Sequence, residues 1–131
     1  MKTSHKVALA GLAGVLTGVA GPTAIHAQQV KTPPAYVIAE LELLNPTTPI
    51  SKKYGEKMPE TLAPFNHRYL IRGGKTQALE GEPPKAIVVI AFDSAEKARE
   101  WYASPAYQAI KPLRQSAAKS RIFIAEGLAP Q

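Results

Sequence analysis

His67-Arg68-Tyr69-Leu70-Ile71-Arg72-Gly73-Gly74 is a β-like run closed by a glycine pair, and the fold turns on it. The glycines permit positive backbone angles, so the chain beyond them, Lys75 to Glu80, either turns back or continues past a bulge. Gly74-Lys75-Thr76 matches the tail of the phosphate-loop motif. The match fails on spacing, since the motif's first glycine falls on Tyr69 and a strand pattern follows where a helix N-terminus would have to hold the phosphate. Turn chemistry accounts for the glycines.

Downstream, Glu80-Gly81-Glu82-Pro83-Pro84 has the composition of a loop. Ala86 to Phe92 is an unbroken apolar run rich in β-branched residues, as in a strand buried on both faces. Its Ile87, Val89 and Ala91 face one way, and Ala86, Val88, Ile90 and Phe92 the other. Asp93 or Ser94 then caps a helix, with Glu96 completing a capping-box-like start. Ala95, Ala98 and Trp101 or Tyr102 form its inner face. Ser104-Pro105 interrupts the helix and restarts it, because serine caps well and proline is tolerated at the first helical position. Ala106, Ile110, Leu113 and Ala117 continue an apolar face, and Pro112 implies a kink. Arg121 to Glu126 reads as a short last strand closed by Gly127.

Upstream, Tyr36 to Leu43 alternates as a strand does, and Asn45-Pro46 breaks it. From Pro49 to Phe65 the residues Ile50, Tyr54, Met58 and Leu62 recur every fourth position and line one helix face. Pro59 must kink or divide that helix, and Pro64 ends it. The order strand, helix, strand, strand, helix, strand is the α+β, ferredoxin-like βαββαβ arrangement: a four-stranded antiparallel sheet with two helices on one face. It occupies residues 35–128 as one domain.

The N-terminus is of another kind. Lys2 and Lys6 precede a run from Val7 to Gly21 that is apolar or small except for Thr17, followed by Pro22 and the small-residue site Ile25-His26-Ala27. This is the order of a secretory signal peptide, residues 1–27, cut after Ala27. The run falls short of the roughly 20 residues that span a bilayer. Isoleucine three residues before the cut is less usual than alanine, which leaves an uncleaved anchor as the alternative. Gln28 to Pro34 reads as a flexible tether. The mature protein is thus expected to be soluble, periplasmic or secreted, with no stable membrane insertion.

Cysteine is absent, which excludes disulfides, thiolate metal sites and cysteine nucleophiles. The chain has 16 basic and 10 acidic residues, and removing Lys2 and Lys6 with the signal leaves 14 against 10. That mild surplus, interspersed with acids, argues against nucleic acid as a partner. His67 is the one histidine after processing, so no multi-histidine metal centre can form, and no metal or cofactor is expected.

The run Met58-Pro59-Glu60-Thr61-Leu62-Ala63-Pro64-Phe65, the block Arg68 to Gly74, then Glu80-Gly81, Phe92, Ala98, Trp101-Tyr102, Ser104-Pro105, Tyr107 and Arg114 together resemble the domain of unknown function 1330 family. The resemblance covers nearly all of Tyr36 to Gly127. It implies a dimeric α/β-barrel, a superfamily whose members include cofactor-free monooxygenases, isomerases and haem enzymes. The chain departs from the family pattern at Asn66-His67, where a glycine pair is usual, and at Ala91, where an acid is common.

The candidate ligand-binding residues are His67, Arg72, Glu80, Trp101 and Tyr102. His67 could serve as a base or cap a strand entrance. Arg72 could hold an anionic group bidentately or pair with Glu80 across the turn. Trp101 and Tyr102 offer either a flat wall for a ring-shaped ligand or core packing. Regular alternation sets His67 and Tyr69 on one face and Arg68 and Arg72 on the other, so His67 and Arg72 share a pocket only if a bulge near Gly73 realigns the strand. Two functions fit: a monooxygenase- or isomerase-like enzyme for a small hydrophobic or aromatic molecule, or a non-catalytic exported ligand-binding or structural dimer. Homodimerisation is expected because helices can cover only one face of the Ala86 to Phe92 strand.

Overall fold

A computed structural model describes residues 31–44 and 49–131. The signal-peptide reading of residues 1–27, the first part of the tether and the Asn45-Pro46 break lie outside the described residues.

Strand β1 (Ala35–Leu43) is followed by helix α1 (Pro49–Leu62), β2 (His67–Arg72), β3 (Ala86–Phe92), helices α2 (Ala95–Ala103) and α3 (Pro105–Ala117), and β4 (Ala118–Glu126). The sheet order is β2-β3-β1-β4, antiparallel throughout, which is the ferredoxin-like topology. The helices lie on one face, over Val37, Ile90 and Phe92, which join Met58, Leu62, Trp101, Tyr107 and Ile110 in the buried core.

The break between α2 and α3 falls at Ser104. Its hydroxyl accepts from the Tyr107 amide at 3.3 Å and donates to the Trp101 carbonyl at 2.7 Å, closing one helix while opening the next. Ser94, rather than Asp93, caps α2, accepting from the Lys97 amide at 3.1 Å. Asp93 accepts instead from the Asn66 side chain at 2.8 Å.

Three expectations change. Pro59 does not divide α1, which runs through it. A proline there forgoes only the bond to Gly55, its own carbonyl accepts from Ala63 at 3.0 Å, and its ring is exposed beside buried Met58, Thr61 and Leu62. The inner face of α3 is Tyr107, Ile110, Arg114 and Ala117, whereas Ala106 is exposed and Leu113 only half-buried. Strand β4 starts three residues before Arg121, because Ala118 to Ser120 pair with Leu43 to Leu41.

Strand β2 carries a bulge. Tyr69 stands opposite Ile90 and Ile71 opposite Val89, so Leu70 is the extra residue. The insertion resets the alternation: His67, Tyr69 and Arg72 all fall on the helix-bearing face. Beyond it Gly73 takes a φ of +69° and its amide donates to the Ile87 carbonyl at 2.9 Å, a turn that a side chain would strain.

Among the described residues, no helix lies on the opposite face of the sheet. Ile71, Val89, Ile38 and Phe123 form a row across all four strands on that face. Ile71 and Phe123 each retain 40 % of their surface.

Candidate functional site

Helix α1 rests chiefly on α3 and makes little contact with the sheet. The space between holds a cavity of about 140 Å³. Its walls are mostly apolar, with Ile90 and Ile122 from the sheet, Met58 from α1 and Trp101 from α2. An apolar cavity of about 150 Å³ admits a benzene ring, so this one suits a single ring or a short branched chain.

Trp101 turns its polar edge away from that space. Its indole N–H donates to Thr61 Oγ1 at 3.1 Å, and Thr61 in turn donates to the Met58 carbonyl at 2.8 Å. With those donors satisfied, the ring is packed against Tyr107, 4.3 Å between centroids.

The polar lining comes from two arginines and three tyrosines. Arg114 is buried, with 7 % of its surface exposed. Its Nε donates to the Tyr107 hydroxyl at 3.1 Å, and Nη1 donates to Ser120 Oγ. Tyr107 stands 3.4 Å from the Tyr54 hydroxyl across the α1–α3 contact. Burial, and then the neighbouring Tyr107, push the Tyr54 phenol well above its ordinary range, and burial also raises Tyr69 against the pull of Arg72. These two phenols therefore stay protonated near neutral pH.

Arg114 has no carboxylate partner among the described residues, whose ion pairs are Lys52–Glu56, Lys97–Glu100 and Arg121–Glu40. Burying an unpaired charge costs several kcal/mol. The C-terminal end of α3, in whose last turn Arg114 stands, returns at most about 2 kcal/mol.

Arg72 sits at the outer side, exposed, its guanidinium 4.8 Å from the centre of the Tyr69 ring. Tyr69 and Arg72 meet because of the Leu70 bulge. No ion pair joins Arg72 to Glu80 among the described residues; Glu80 lies exposed in the loop after β2, away from the cavity.

Of the residues singled out in sequence, Arg72 and Trp101 line the cavity. His67 shares their sheet face but lies at the other end of β2, in a separate groove with Asn66 and Asp93. Its Nδ1 donates to the Phe65 carbonyl at 2.8 Å, a local cap. Tyr102 is half-buried behind Tyr107, 5.1 Å between rings, with the Lys111 ammonium 5.5 Å from its own ring centre. It faces the groove beside β4. Sequence reasoning missed Tyr54, Tyr69, Tyr107 and Arg114 as site residues. The available signal was an arginine seven positions after a buried tyrosine on α3, a two-turn spacing that points both inward.

The arrangement can hold an apolar body and offer N–H and O–H donors to an oxygen. It presents no histidine, aspartate or glutamate to the cavity among the described residues.

The family described as Domain of unknown function (DUF1330) matches residues 34–128. No curated protein matches the chain. Among solved structures, a protein of unknown function from Rhodopseudomonas palustris superposes with a TM-score of 0.60 at 17% identity, covering 79% of this chain and 88% of that one. SnoaB, a cofactor-independent oxygenase from Streptomyces nogalater, gives 0.53 at 10% identity over 76% and 96% of the two chains. A dimeric ferredoxin-like protein of unknown function from Thermobifida fusca gives 0.51 at 15% identity over 73% and 92%. At these identities the likeness is one of fold.

Proposed function

The chain belongs to the domain of unknown function 1330 family, and from that premise we propose that it is an exported, homodimeric α/β-barrel protein that takes a small hydrophobic molecule into the cavity under α1. Acting without a cofactor, in the manner of a monooxygenase or an isomerase, it would work on that molecule there. The observation that carries this reading is the cavity itself, apolar walls around a few convergent donors. The fold likeness to a cofactor-independent oxygenase is in keeping with it. Arg72 would polarise a substrate oxygen, a donor placed where negative charge develops. With no histidine, aspartate or glutamate beside the cavity among the described residues, the substrate must ionise readily of itself. That same lack favours a second reading, a non-catalytic exported ligand-binding or structural dimer.

Dimerisation would cover the row Ile71, Val89, Ile38 and Phe123. Burying a large apolar side chain is worth roughly 1.5–3 kcal/mol, and a second copy related by a two-fold axis supplies the cover. Export rests on residues 1–27; intact mass from the envelope fraction should show a chain beginning at Gln28, and retention of Met1 would refute it.

Trp101 is the single tryptophan and stands in the cavity wall, so its fluorescence reports occupancy. Titration with a metabolite library, alongside native mass spectrometry, should yield ligands that change Trp101 emission. Conversion of a bound ligand under air selects the enzymatic reading, and binding without conversion the other. A library in which nothing perturbs Trp101 would defeat both ligand-binding readings and leave the structural dimer.

A further inference from the structure

We infer that the molecule this cavity accepts is a small organic oxyanion, a carboxylate or an enolate on a single ring or short branched chain, seated with its charged oxygens toward Arg114. This rests on the reading of the cavity as a ligand site and adds the charge of the ligand.

The first ground is an unbalanced charge. Two guanidinium groups line the cavity and no acid does, among the described residues. Arg72 is exposed at the outer side, and Arg114 is buried within. Hydroxyls satisfy the Arg114 hydrogen bonds on one side but cannot neutralise its charge. An anion entering past the first arginine and stopping at the second supplies the missing counter-charge.

The second ground is the direction of the hydrogen bonds. A guanidinium has five N–H donors and accepts nothing. Nε and Nη1 use one each, on Tyr107 and Ser120. Among the described residues Nη2 has no partner and no fully buried side-chain nitrogen or oxygen is left unbonded, so Nη2 keeps accessible surface. The hydroxyl of Tyr107 accepts from Arg114, and either hydroxyl of the Tyr54–Tyr107 pair can donate to the other; with Tyr107 as donor, the Tyr54 O–H is free for a ligand. The side-chain polar groups of the site thus act as donors, and their complement is a group that only accepts.

The third ground is the walls. Apolar side chains make up most of the lining, so an inorganic anion such as phosphate would forgo most of its hydration without matching contacts. At about 140 Å³ the apolar body is limited to about one ring.

The test compares matched acids and amides: benzoate against benzamide, and isobutyrate against isobutyramide, each titrated into the purified protein with Trp101 fluorescence as readout. In each pair that binds, the carboxylate should bind at least tenfold more tightly than the amide. Arg114→Met, close in shape and uncharged, should erase that preference, and Arg114→Lys should keep part of it. Thermal melting checks that both variants fold; should the methionine variant fail to, the wild-type pairs and the lysine variant still decide. An amide that binds as tightly as its acid overturns the inference while leaving the cavity as a ligand site. A preference that survives Arg114→Met but vanishes in Arg72→Ala overturns the seating on Arg114. If neither pair nor any library compound perturbs Trp101, the inference and the ligand-site reading fall together.

Discussion

Arg114 donates its Nε hydrogen to the hydroxyl of Tyr107 over 3.1 Å, from seven residues further along the same helix. That bond ties the buried charge of the molecule to its aromatic core. A hydrogen bond to a charged group contributes about 1.5–3 kcal/mol, so Tyr107→Phe should destabilise by that order. Replacing the arginine removes the charge that needed the bond, and Arg114→Met should cost less. In the double variant the penalty for Tyr107→Phe should shrink, since nothing charged is left orphaned. Denaturant unfolding of the four proteins checks this, and strictly additive losses would show the two groups to be energetically independent.

Tyr54 gives the protein an alkaline limit. Its folded-state pKa lies above the ordinary value of 10.0, first through burial and then through Tyr107. An acid held protonated in the fold stabilises it fully below the unfolded value and loses that contribution as pH rises from there toward the folded one. Thermal midpoints should therefore be flat in this respect below about pH 10 and fall above it. Tyr54→Phe should flatten the fall. Equal alkaline slopes in the two proteins would remove Tyr54 from the account.

Arg72 is exposed, lies over the Tyr69 ring and makes no ion pair among the described residues. An exposed cation–π contact is worth about 0.5–1 kcal/mol, so Arg72→Ala should change stability by no more than that. If Arg72 serves the ligand, Arg72→Ala and Arg72→Lys should both lose affinity, because lysine keeps the charge and not the planar fork. Titrations on Trp101 beside thermal melts decide it. Unchanged affinity in the alanine variant would confine Arg72 to the rim and leave the non-catalytic reading ahead.

Local patterns reveal the elements well and the site poorly. Ala86 to Phe92 was legible to the residue, because an unbroken β-branched run between a proline pair and a capping serine has one reading. The Leu70 bulge was not, since His67 to Arg72 reads as a regular strand and only pairing against Ile90 and Val89 makes Leu70 extra. The bulge decides the site: without it Arg72 would point to the helix-free face. Arg114 was hidden for another reason. A charge on an amphipathic helix is ordinarily solvated, and here α1, closing over α3, takes it from water.

The helix-free face offers a test of assembly. Val89 lies between Ile38 and Ile71 at the centre of the apolar row and is half-buried in the isolated chain. Wild type should sediment as a dimer at micromolar concentration. Val89→Glu should shift it to monomer, because a charge facing its two-fold copy is both desolvated and repelled. A wild-type monomer would refute the sheet-to-sheet dimer.

Gly55 separates stability from binding. It lies inside α1, at the cavity, and a Cβ built there meets nothing within 4 Å. Its backbone is helical, so alanine adds helix propensity without strain and should stabilise the fold by about 0.5–1 kcal/mol. The new methyl group would take up room beside a space of only about 140 Å³, enough to hold little more than one ring. Gly55→Ala should therefore melt higher yet bind a ring-sized ligand more weakly, and Gly55→Leu should carry the loss of binding further. A more stable variant with unchanged affinity would place the ligand elsewhere, because no seat under α1 can ignore a side chain growing at position 55.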